Sequence, residues 1–173
     1  MSQIEKTVAA LRDALREAVS EVKEFRGDTT VVIAKERLLE ALRLLKDAPG
    51  LEYNFLTTLT AIDDWPAEPR FSVIYQLYSM KHNVRLRLKA LTPGDDPVMP
   101  TATGVYPNAN WHEREVYDMF GITFTGHPDL RRILMPADWG GHPLRKDYPL
   151  GYEEVQFSFN WHEIDNKKPY AKA

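Results

Sequence analysis

The 173-residue sequence contains no cysteine. This absence excludes disulfides, thiolate zinc sites and cysteine-ligated iron–sulfur clusters within the chain, and it fits a reducing compartment. The sequence also lacks an apolar run of the roughly 20 residues that a membrane-spanning helix needs, and its start, MSQIEKTVAA, lacks the apolar core of a signal peptide. We therefore expect a soluble cytoplasmic protein that reaches a membrane only as part of a complex.

An excess of charge of one sign is absent too, since 22 Lys and Arg stand against 25 Asp and Glu, for a formal net charge of -3. No sequence-wide basic field exists to hold a nucleic-acid backbone, so nucleic acid is not an expected partner. The chain has no G-x-S-x-G elbow, no phosphate-binding G-x-x-x-x-G-K-[ST] and no G-x-G-x-x-G. The residues therefore predict no chemistry carried out by this chain itself, and no catalytic residue is assigned.

The first fifty residues predict helical structure around one short strand. The whole chain, 43% hydrophobic, is the size of a single domain with one core. Residues 4–22 place apolar side chains three or four positions apart, which predicts an amphipathic helix. After Gly27 the segment TTVVIA predicts a buried strand, and residues 35–50 return to helical spacing. The expected order is helix, strand, helix.

Three extended segments follow, each rich in β-branched and aromatic residues: 53–62, 71–80 and 83–91. Short turn-forming stretches separate them, so they predict an antiparallel meander. In the last segment apolar residues alternate with arginine and lysine, which indicates one face on the core and one in water. We expect an α+β fold over residues 1–120, with N-terminal helices packed on a mainly antiparallel sheet.

The stretch NWHEREVYDMFGI predicts a short helix with recognisable ends. Asn110 is a good N-cap, and Glu113 three residues later completes a capping box by reaching back to the N-cap amide. Gly121 supplies the left-handed residue that ends many helices. Because Glu113 lies at the margin of the core, it needs that capping amide or an arginine such as Arg131 or Arg132.

The two sides of this helix differ in composition. One side is apolar, and we expect its Val116, Met119 and Phe120 to pack in the core. The opposite side carries Trp111, Arg114, Glu115 and Asp118. It has two interpretations: a solvated face with an Arg114–Asp118 ion pair, or an interface, since an aromatic residue beside arginine and carboxylates is typical of contact anchors.

Residues 121–151 contain four Pro and five Gly and show no period. A long irregular segment inside a compact domain is either functional or disordered, and the many apolar side chains of this one argue against disorder. We expect a segment that is ordered by packing, partly against another protein. Residues 121–173 are thus predicted to be the partner-binding C-terminal segment and tail of the same domain, with a mobile or partner-bound end.

The pair His112-Glu113 also opens a zinc-protease helix motif, which needs a second His four positions after the first. Val116 occupies that position. A metal would have to recruit loop histidines that have no characteristic spacing: His82, His127, His142 or His162. A stand-alone metal-dependent hydrolase using His112, Glu113 and His142 is therefore the weaker alternative, and no metal site is assigned.

Residues 113–134, EREVYDMFGITFTGHPDLRRIL, resemble the signature of the 30 kDa subunit of respiratory complex I, which is the C subunit of the bacterial NADH:quinone oxidoreductase. The fixed positions of that signature are met by Glu113, Arg114, Glu115, Asp118, Met119, Phe120, His127, Arg131, Ile133 and Leu134. The following GGHPLRKDYPL is similar to the family's usual continuation, and the resemblance covers about residues 1–160. A match over twenty-two positions is highly specific.

The resemblance implies an α+β subunit in the peripheral arm of the complex, on the cytoplasmic face of the membrane, with no cofactor of its own. It implies packing against the quinone-pocket 49 kDa-type D subunit and the iron–sulfur B and I subunits. FMN, iron–sulfur clusters and quinone would lie in the partner subunits. The whole assembly passes electrons from NADH to quinone and couples this transfer to proton translocation.

A structural and assembly role near the quinone module is the function expected from this resemblance. The residues expected to hold the partner subunits are Trp111, Arg114, Glu115, Asp118, His127, Arg131, Arg132, His142, Arg145, Asp147 and Tyr148. The equivalent subunit of a related machine, such as a ferredoxin-dependent plastoquinone reductase or a membrane-bound hydrogenase, is the nearer alternative. The two differ in the electron donor, which this subunit does not contact.

Overall fold

The computed structural model of the protein describes residues 2–149 and 157–163. Within these ranges the chain forms, in order, α1 (Gln3–Leu15), β1 (Val19–Phe25), β2 (Asp28–Ile33), α2 (Leu38–Asp47), β3 (Phe55–Asp63), β4 (Phe71–Ser79), β5 (Val84–Thr92), β6 (Val98–Pro100), α3 (Ala109–Phe120) and β7 (Thr123–Thr125). Residues 150–156 and 164–173 lie outside the described part, so the expectation for the end of the tail stays a prediction. Among the described helices, none has the length and apolar character to cross a bilayer.

Five strands form the main sheet in the order β1-β2-β5-β4-β3. β2 and β5 are parallel, whereas the other neighbours in this sheet are antiparallel. The consecutive strands β3, β4 and β5 are also neighbours in space, as the predicted meander requires. Helices α1 and α2 add leucines to the core that the sheet forms with Phe71, Tyr75 and branched side chains. The expected α+β fold is confirmed.

The helix predicted over residues 4–22 is too long by almost two turns. Helix α1 ends at Leu15, and Arg16, with φ 44°, takes the chain out of it. Val19 and Val22, which continued the helical spacing, lie half-buried in β1 instead. Their β-branched side chains fit a pleated strand as well as a helix, and pairing with β2 decides between the two. The actual order is helix, strand, strand, helix.

The predicted capping box of α3 is also wrong. The helix begins at Ala109, so Asn110 lies inside it, and Asn108 in the N-cap position makes no side-chain cap. The Asn108 amide donates instead to the Leu56 carbonyl oxygen of β3, at 2.8 Å. Glu113 accepts a hydrogen bond from the Ala102 N–H, at 2.6 Å, because the preceding loop lies closer to its carboxylate than the helix start does. Gly121, with φ 75°, ends the helix as predicted.

Two short strands add a second, smaller sheet, and one of them, β7, lies within the segment 121–151 that we expected to be irregular. β6 and β7 pair in parallel, and the Thr101 N–H donates to the Thr125 carbonyl oxygen at 3.0 Å just beyond them. This pairing places the loop at Thr101 beside α3 and starts the C-terminal segment at His127. Residues 127–149, called the docked segment from here on, then run back across the domain without further strands.

Candidate partner-binding site

Helix α3 packs its apolar side into the core, where Val116 is 1% exposed. Met119 and Phe120 are buried with it, which confirms the prediction for this side. The helix contacts β3 and the docked segment, so its other side chains determine how that segment is held.

Asp118 holds the docked segment against helix α3. Its carboxylate is fully buried, and Oδ2 accepts the N–H groups of Ile133, Leu134 and Met135 at 3.0, 2.8 and 2.8 Å. Oδ1 accepts from the Arg132 guanidinium at 2.7 Å. One carboxylate therefore fixes four consecutive residues of the segment against the helix.

Burial alone would raise the pKa of the Asp118 carboxyl. The N–H of Met135, the guanidinium of Arg132 and the N–H groups of Leu134 and Ile133 outweigh that effect, so the pKa lies below its ordinary value. Asp118 is consequently charged at neutral pH, and its charge is balanced inside the chain.

Arg114 is the second contact between helix and segment. Its guanidinium donates to the carbonyl oxygens of Arg131 and Arg132 at 3.1 and 3.2 Å, and it lies 5.3 Å from the Trp111 ring centroid. Only 9% of the Arg114 surface is exposed. The predicted Arg114–Asp118 ion pair does not form, because each residue is bonded to the docked segment instead.

The end of α3 is covered by residues 139–144. Arg132 donates to the carbonyl oxygens of Trp139 and Gly141 at 2.9 and 3.0 Å. His142 Nδ1 lies 2.9 Å from the Asp118 carbonyl oxygen and donates to it, since a carbonyl only accepts. The Leu144 N–H donates to the Met119 carbonyl oxygen at 3.0 Å, so carbonyls of the last helical turn are satisfied by this segment.

Replacing Gly121 with Ala is expected to lower the free energy of unfolding by about 1–3 kcal/mol. Its φ is positive, and a Cβ there would lie 2.6 Å from His142 Cδ2, so the ring would have to move. Gly104→Ala is the control, because a Cβ at that position has no atom within 4 Å. Chemical denaturation measures both variants, and equal stabilities of the two would contradict this role for Gly121.

A second set of charged residues, Arg70, Asp63 and Asp147, holds the far end of the docked segment against the domain. Arg70, just before β4, is 7% exposed and donates to both oxygens of Asp63 at 2.9 and 2.7 Å. The same guanidinium contacts Asp147 at 2.8 Å, and the Lys146 N–H donates to Asp63 at 2.8 Å. One arginine therefore joins the turn between β3 and β4 to the docked segment.

These contacts shift the ionisation of the three groups in the directions expected for paired charges. The Asp147 and Asp63 carboxylates hold the pKa of Arg70 well above its ordinary value. Burial opposes ionisation of Asp63, but Arg70 and the N–H groups of Lys146 and Trp65 hold its pKa well below the ordinary value. The Arg70 guanidinium also lowers the pKa of Asp147. The cluster is thus charged and paired at neutral pH.

Two further predicted residues lie beside this cluster. The Arg145 guanidinium stacks 5.2 Å from the Phe71 ring centroid and lies 3.5 Å from the Gly94 carbonyl oxygen. The Tyr148 N–H donates to the Arg145 carbonyl oxygen at 3.0 Å, and a Cβ on Gly141 would lie 2.9 Å from the Tyr148 ring. Both residues therefore contribute to the packing of the segment within the chain.

Four exposed apolar residues lie on or near α3 and the docked segment. They are Trp111, Ile133, Leu134 and Leu144, which are 60%, 37%, 61% and 54% exposed and are called the outer patch from here on. Glu115 and Arg131 are exposed near it, whereas Arg114, Asp118 and the side chain of His127 are buried. Single hydrophobic residues are common on surfaces, but several near one helix indicate an interaction site.

The exposed leucines of the docked segment stand out in the sequence, whereas the buried charges that hold its far end do not. Leu134 and Leu144 are large apolar residues between prolines and glycines, and they are among the side chains from which a segment packed partly against another protein was predicted. Asp63 and Arg70 gave no local signal, because their partner Asp147 follows them by 77 residues or more in the sequence.

The histidines and acids of the weaker alternative do not converge. Glu113 is bonded to the loop at Thr101 and Ala102, whereas His142 lies at the other end of α3, about 7 Å or more along its axis. Across residues 2–149 and 157–163, no three His, Cys, Asp or Glu side chains are grouped so that they could hold a metal ion.

The chain is similar in sequence to proteins of one family. The family described as "Respiratory-chain NADH dehydrogenase, 30 Kd subunit" matches residues 31–154. A relative from Roseiflexus sp. (strain RS-1), named as the C subunit of NADH-quinone oxidoreductase, is 52% identical over 162 residues, which are 94% of this chain and 93% of the relative. The protein of the same name from Geobacter sulfurreducens is 48% identical over 151 residues, which are 87% of this chain and 92% of the relative.

Two solved structures are similar to this one. A trypsin-resistant fragment of Nqo5 is 32% identical, with a TM-score of 0.65, and the match covers 74% of this chain and 99% of the fragment. A chain of the membrane-bound sulfane sulfur reductase, an archaeal respiratory membrane complex, has a TM-score of 0.72 and matches 99% of both chains. At 22% identity, this second likeness shows the fold alone.

Proposed function

Because the chain belongs to the 30 kDa subunit family of the respiratory-chain NADH dehydrogenase, we propose that it is a structural and assembly subunit of that enzyme's peripheral arm. In this role it binds no cofactor, lies on the cytoplasmic face of the membrane and packs beside the quinone-binding module. Its partners are the 49 kDa-type D subunit and the iron–sulfur B and I subunits. FMN, iron–sulfur clusters and quinone belong to the partner subunits.

The observation that supports this role is the way in which buried charges hold an exposed apolar surface. Leu134 projects 61% of its surface to solvent while its N–H is fixed on Asp118, and Leu144 is fixed in the same way by Met119. A surface that is already ordered in the free chain loses little conformational entropy when a partner binds. The outer patch therefore has the properties of a preformed contact surface.

Trp111 is the strongest candidate anchor within the outer patch. It is 60% exposed, and the Arg114 guanidinium beneath it is bonded to two carbonyl oxygens of the docked segment. Tryptophan is among the residues that contribute most to binding free energy at protein interfaces. The rim of the patch carries Glu115 and Arg131, which suits the polar border of such an interface.

Replacing Leu134 with Asp is expected to reduce recovery of the partner subunits by about tenfold or more, since a charge buried in an apolar contact costs upward of ~2 kcal/mol. Met80→Asp is the matched control, because Met80 is equally exposed, at 65%, but lies in the turn between β4 and β5. A tagged chain is isolated from gently solubilised membranes, and its partners are quantified. Equal recovery with both variants would refute the role of the outer patch.

The same isolation tests the related machines as an alternative. The fold also occurs in an archaeal respiratory membrane complex, so it does not by itself decide the electron donor. Recovery of FMN-binding and NADH-binding subunits with the tagged chain supports the NADH-dependent enzyme. Recovery of the D-type and iron–sulfur subunits without them would favour a ferredoxin-dependent or hydrogenase-type complex.

A further inference from the structure

Glu113 is a fully buried carboxyl group with few hydrogen-bond donors. Its oxygens accept from the Thr101 hydroxyl at 2.5 Å and from the Ala102 N–H at 2.6 Å. Within the described ranges the one ion-pair partner in reach is His127, whose Nε2 lies 3.9 Å away with its side chain also fully buried. The remaining titratable group directed at it is Tyr75 of β4, whose buried hydroxyl has no hydrogen-bond partner among the described residues.

The contacts of His127 indicate which ring nitrogen carries its hydrogen. Nδ1 accepts the Asp129 N–H at 3.1 Å, so that nitrogen carries no proton. Nε2 therefore carries the ring hydrogen and donates it to the Asn110 carbonyl oxygen at 3.2 Å. The Nε2 hydrogen is therefore directed at the Asn110 carbonyl oxygen rather than at the Glu113 carboxyl group, which is 3.9 Å away.

A comparison with Asp118 shows how few hydrogen-bond donors the Glu113 carboxyl group has. Both carboxyls belong to the same helix and are fully buried. Asp118 accepts from a guanidinium and three N–H groups, whereas Glu113 accepts from one N–H and one hydroxyl and has no arginine or lysine partner among the described residues. A buried carboxylate with so few donors is less stable than the neutral acid.

We propose that Glu113 binds a proton in the folded chain as a neutral acid, and that loss of this proton loosens the start of the docked segment at His127. The proton belongs to a site formed by three parts of the chain: the loop at Thr101 and Ala102, the start of α3, and His127 after β7. Because the docked segment presents the outer patch, this proton would link pH to the contact surface. That last consequence rests on the proposed function, whereas the proton site does not.

The direction in which pH changes the stability of the fold follows from the raised pKa of Glu113. Burial raises the pKa of Glu113 from 4.5 to about 7, against the opposing hydrogen bonds of Thr101 and Ala102. Burial, and next the charge of Glu113, raise the pKa of Tyr75 well above its ordinary value, so the phenol stays neutral. The folded chain holds the Glu113 proton more tightly than the unfolded chain does. The resulting stability is complete below pH 4.5 and is lost as pH rises through about 7.

Carbon-13 NMR of the carboxyl groups in the full-length chain tests the proton site directly. The Glu113 signal is expected to titrate with a midpoint near pH 7. A Glu113 midpoint near 4.5 would overturn the proposal. This measurement needs no variant.

Hydrogen exchange of the Asp129 N–H tests the coupling to the docked segment. Protection, corrected for intrinsic exchange, is expected to fall about tenfold or more between about pH 6 and 8.5 in the wild type and to stay level in Glu113→Gln. Glu115→Gln, on the exposed side of the same helix, should keep the wild-type profile. A level profile in the wild type, or a falling one in Glu113→Gln, refutes the coupling even if partner binding proceeds as proposed. If Glu113→Gln does not fold, the wild-type profile decides.

Discussion

Replacing Asp118 with Asn is expected to lower the free energy of unfolding by about 3–5 kcal/mol and to release the docked segment from helix α3. The substitution keeps the shape of the side chain but removes the charge that balances the buried part of Arg132, 2.7 Å away. The new amide also places an NH2 group against either Arg132 or the N–H groups that converge on Oδ2. At least one donor loses its acceptor in either orientation.

Chemical denaturation measures the loss of stability, and trypsin cleavage after Arg131 and Arg132 reports release of the segment. Asp129→Asn is the matched control, since Asp129 is 2.9 Å from Arg131 but both side chains are more than half exposed. An exposed pair of this kind contributes about 0–1 kcal/mol. If the two variants were equally stable and equally resistant to trypsin, Asp118 would not be the residue that holds the segment.

A double-mutant cycle separates the Asp118–Arg132 pair from the rest of the network. Most of the stability lost in Asp118→Asn is expected to come from leaving Arg132 without its partner. Arg132→Gln should therefore lower the free energy of unfolding far less in the Asp118→Asn variant than in the wild type. Additive losses would assign the effect to the three N–H groups instead.

Replacing Arg70 with Met is expected to cost about 3–5 kcal/mol as well, because it leaves a buried carboxylate without its cation. Asp63 is 4% exposed and would keep the N–H groups of Trp65 and Lys146 at 3.0 and 2.8 Å, but not the two guanidinium bonds. Met preserves the length of the apolar stem, so lost packing adds little to the result. Asp147 would lose its contact with the sheet at the same time.

Arg87→Met on β5 is the control for this second prediction. Arg87 lies 3.4 Å from Asp28, with side chains 35% and 49% exposed, and we expect a change within about 1 kcal/mol. Denaturation measures stability, and exchange of the Tyr148 N–H, which donates to the Arg145 carbonyl oxygen, reports on the far end of the docked segment. The interpretation fails if that amide remains as protected in Arg70→Met as in the control.

The boundary between α1 and β1 shows where local reasoning reaches its limit. Leu11 and Leu15 are buried as the helical spacing predicted, but Val19 and Val22 follow the same spacing and lie in a strand. The spacing of apolar residues predicts which side chains are buried, but it does not predict where a neighbouring strand lies. The meander was predictable because each of its strands is long, strongly patterned and next to its partner in the sequence.

Helix α3 also has features that the sequence predicted and features that it did not. Its apolar side and its end at Gly121 followed from spacing and from the need for a positive φ. The partners of its charged residues did not, because Glu113 binds a loop before the helix while Arg114 and Asp118 bind a segment after it. From the sequence, Glu113 was given a capping amide or an arginine as its partner, and Arg114 and Asp118 were given either each other or another protein.

The sequence by itself determined the fold class, the strongly periodic helices and strands, the exclusion of cysteine chemistry and the family. These follow from composition, short-range periodicity and a continuous motif, all of which are local in the chain. Only the tertiary structure decided that Asp147 pairs with Arg70, that Asp118 holds residues 132–135, and that Glu113 is left with two donors. Electrostatic partners depend on distance in space and on burial, and both are properties of the folded chain rather than of any stretch of its sequence.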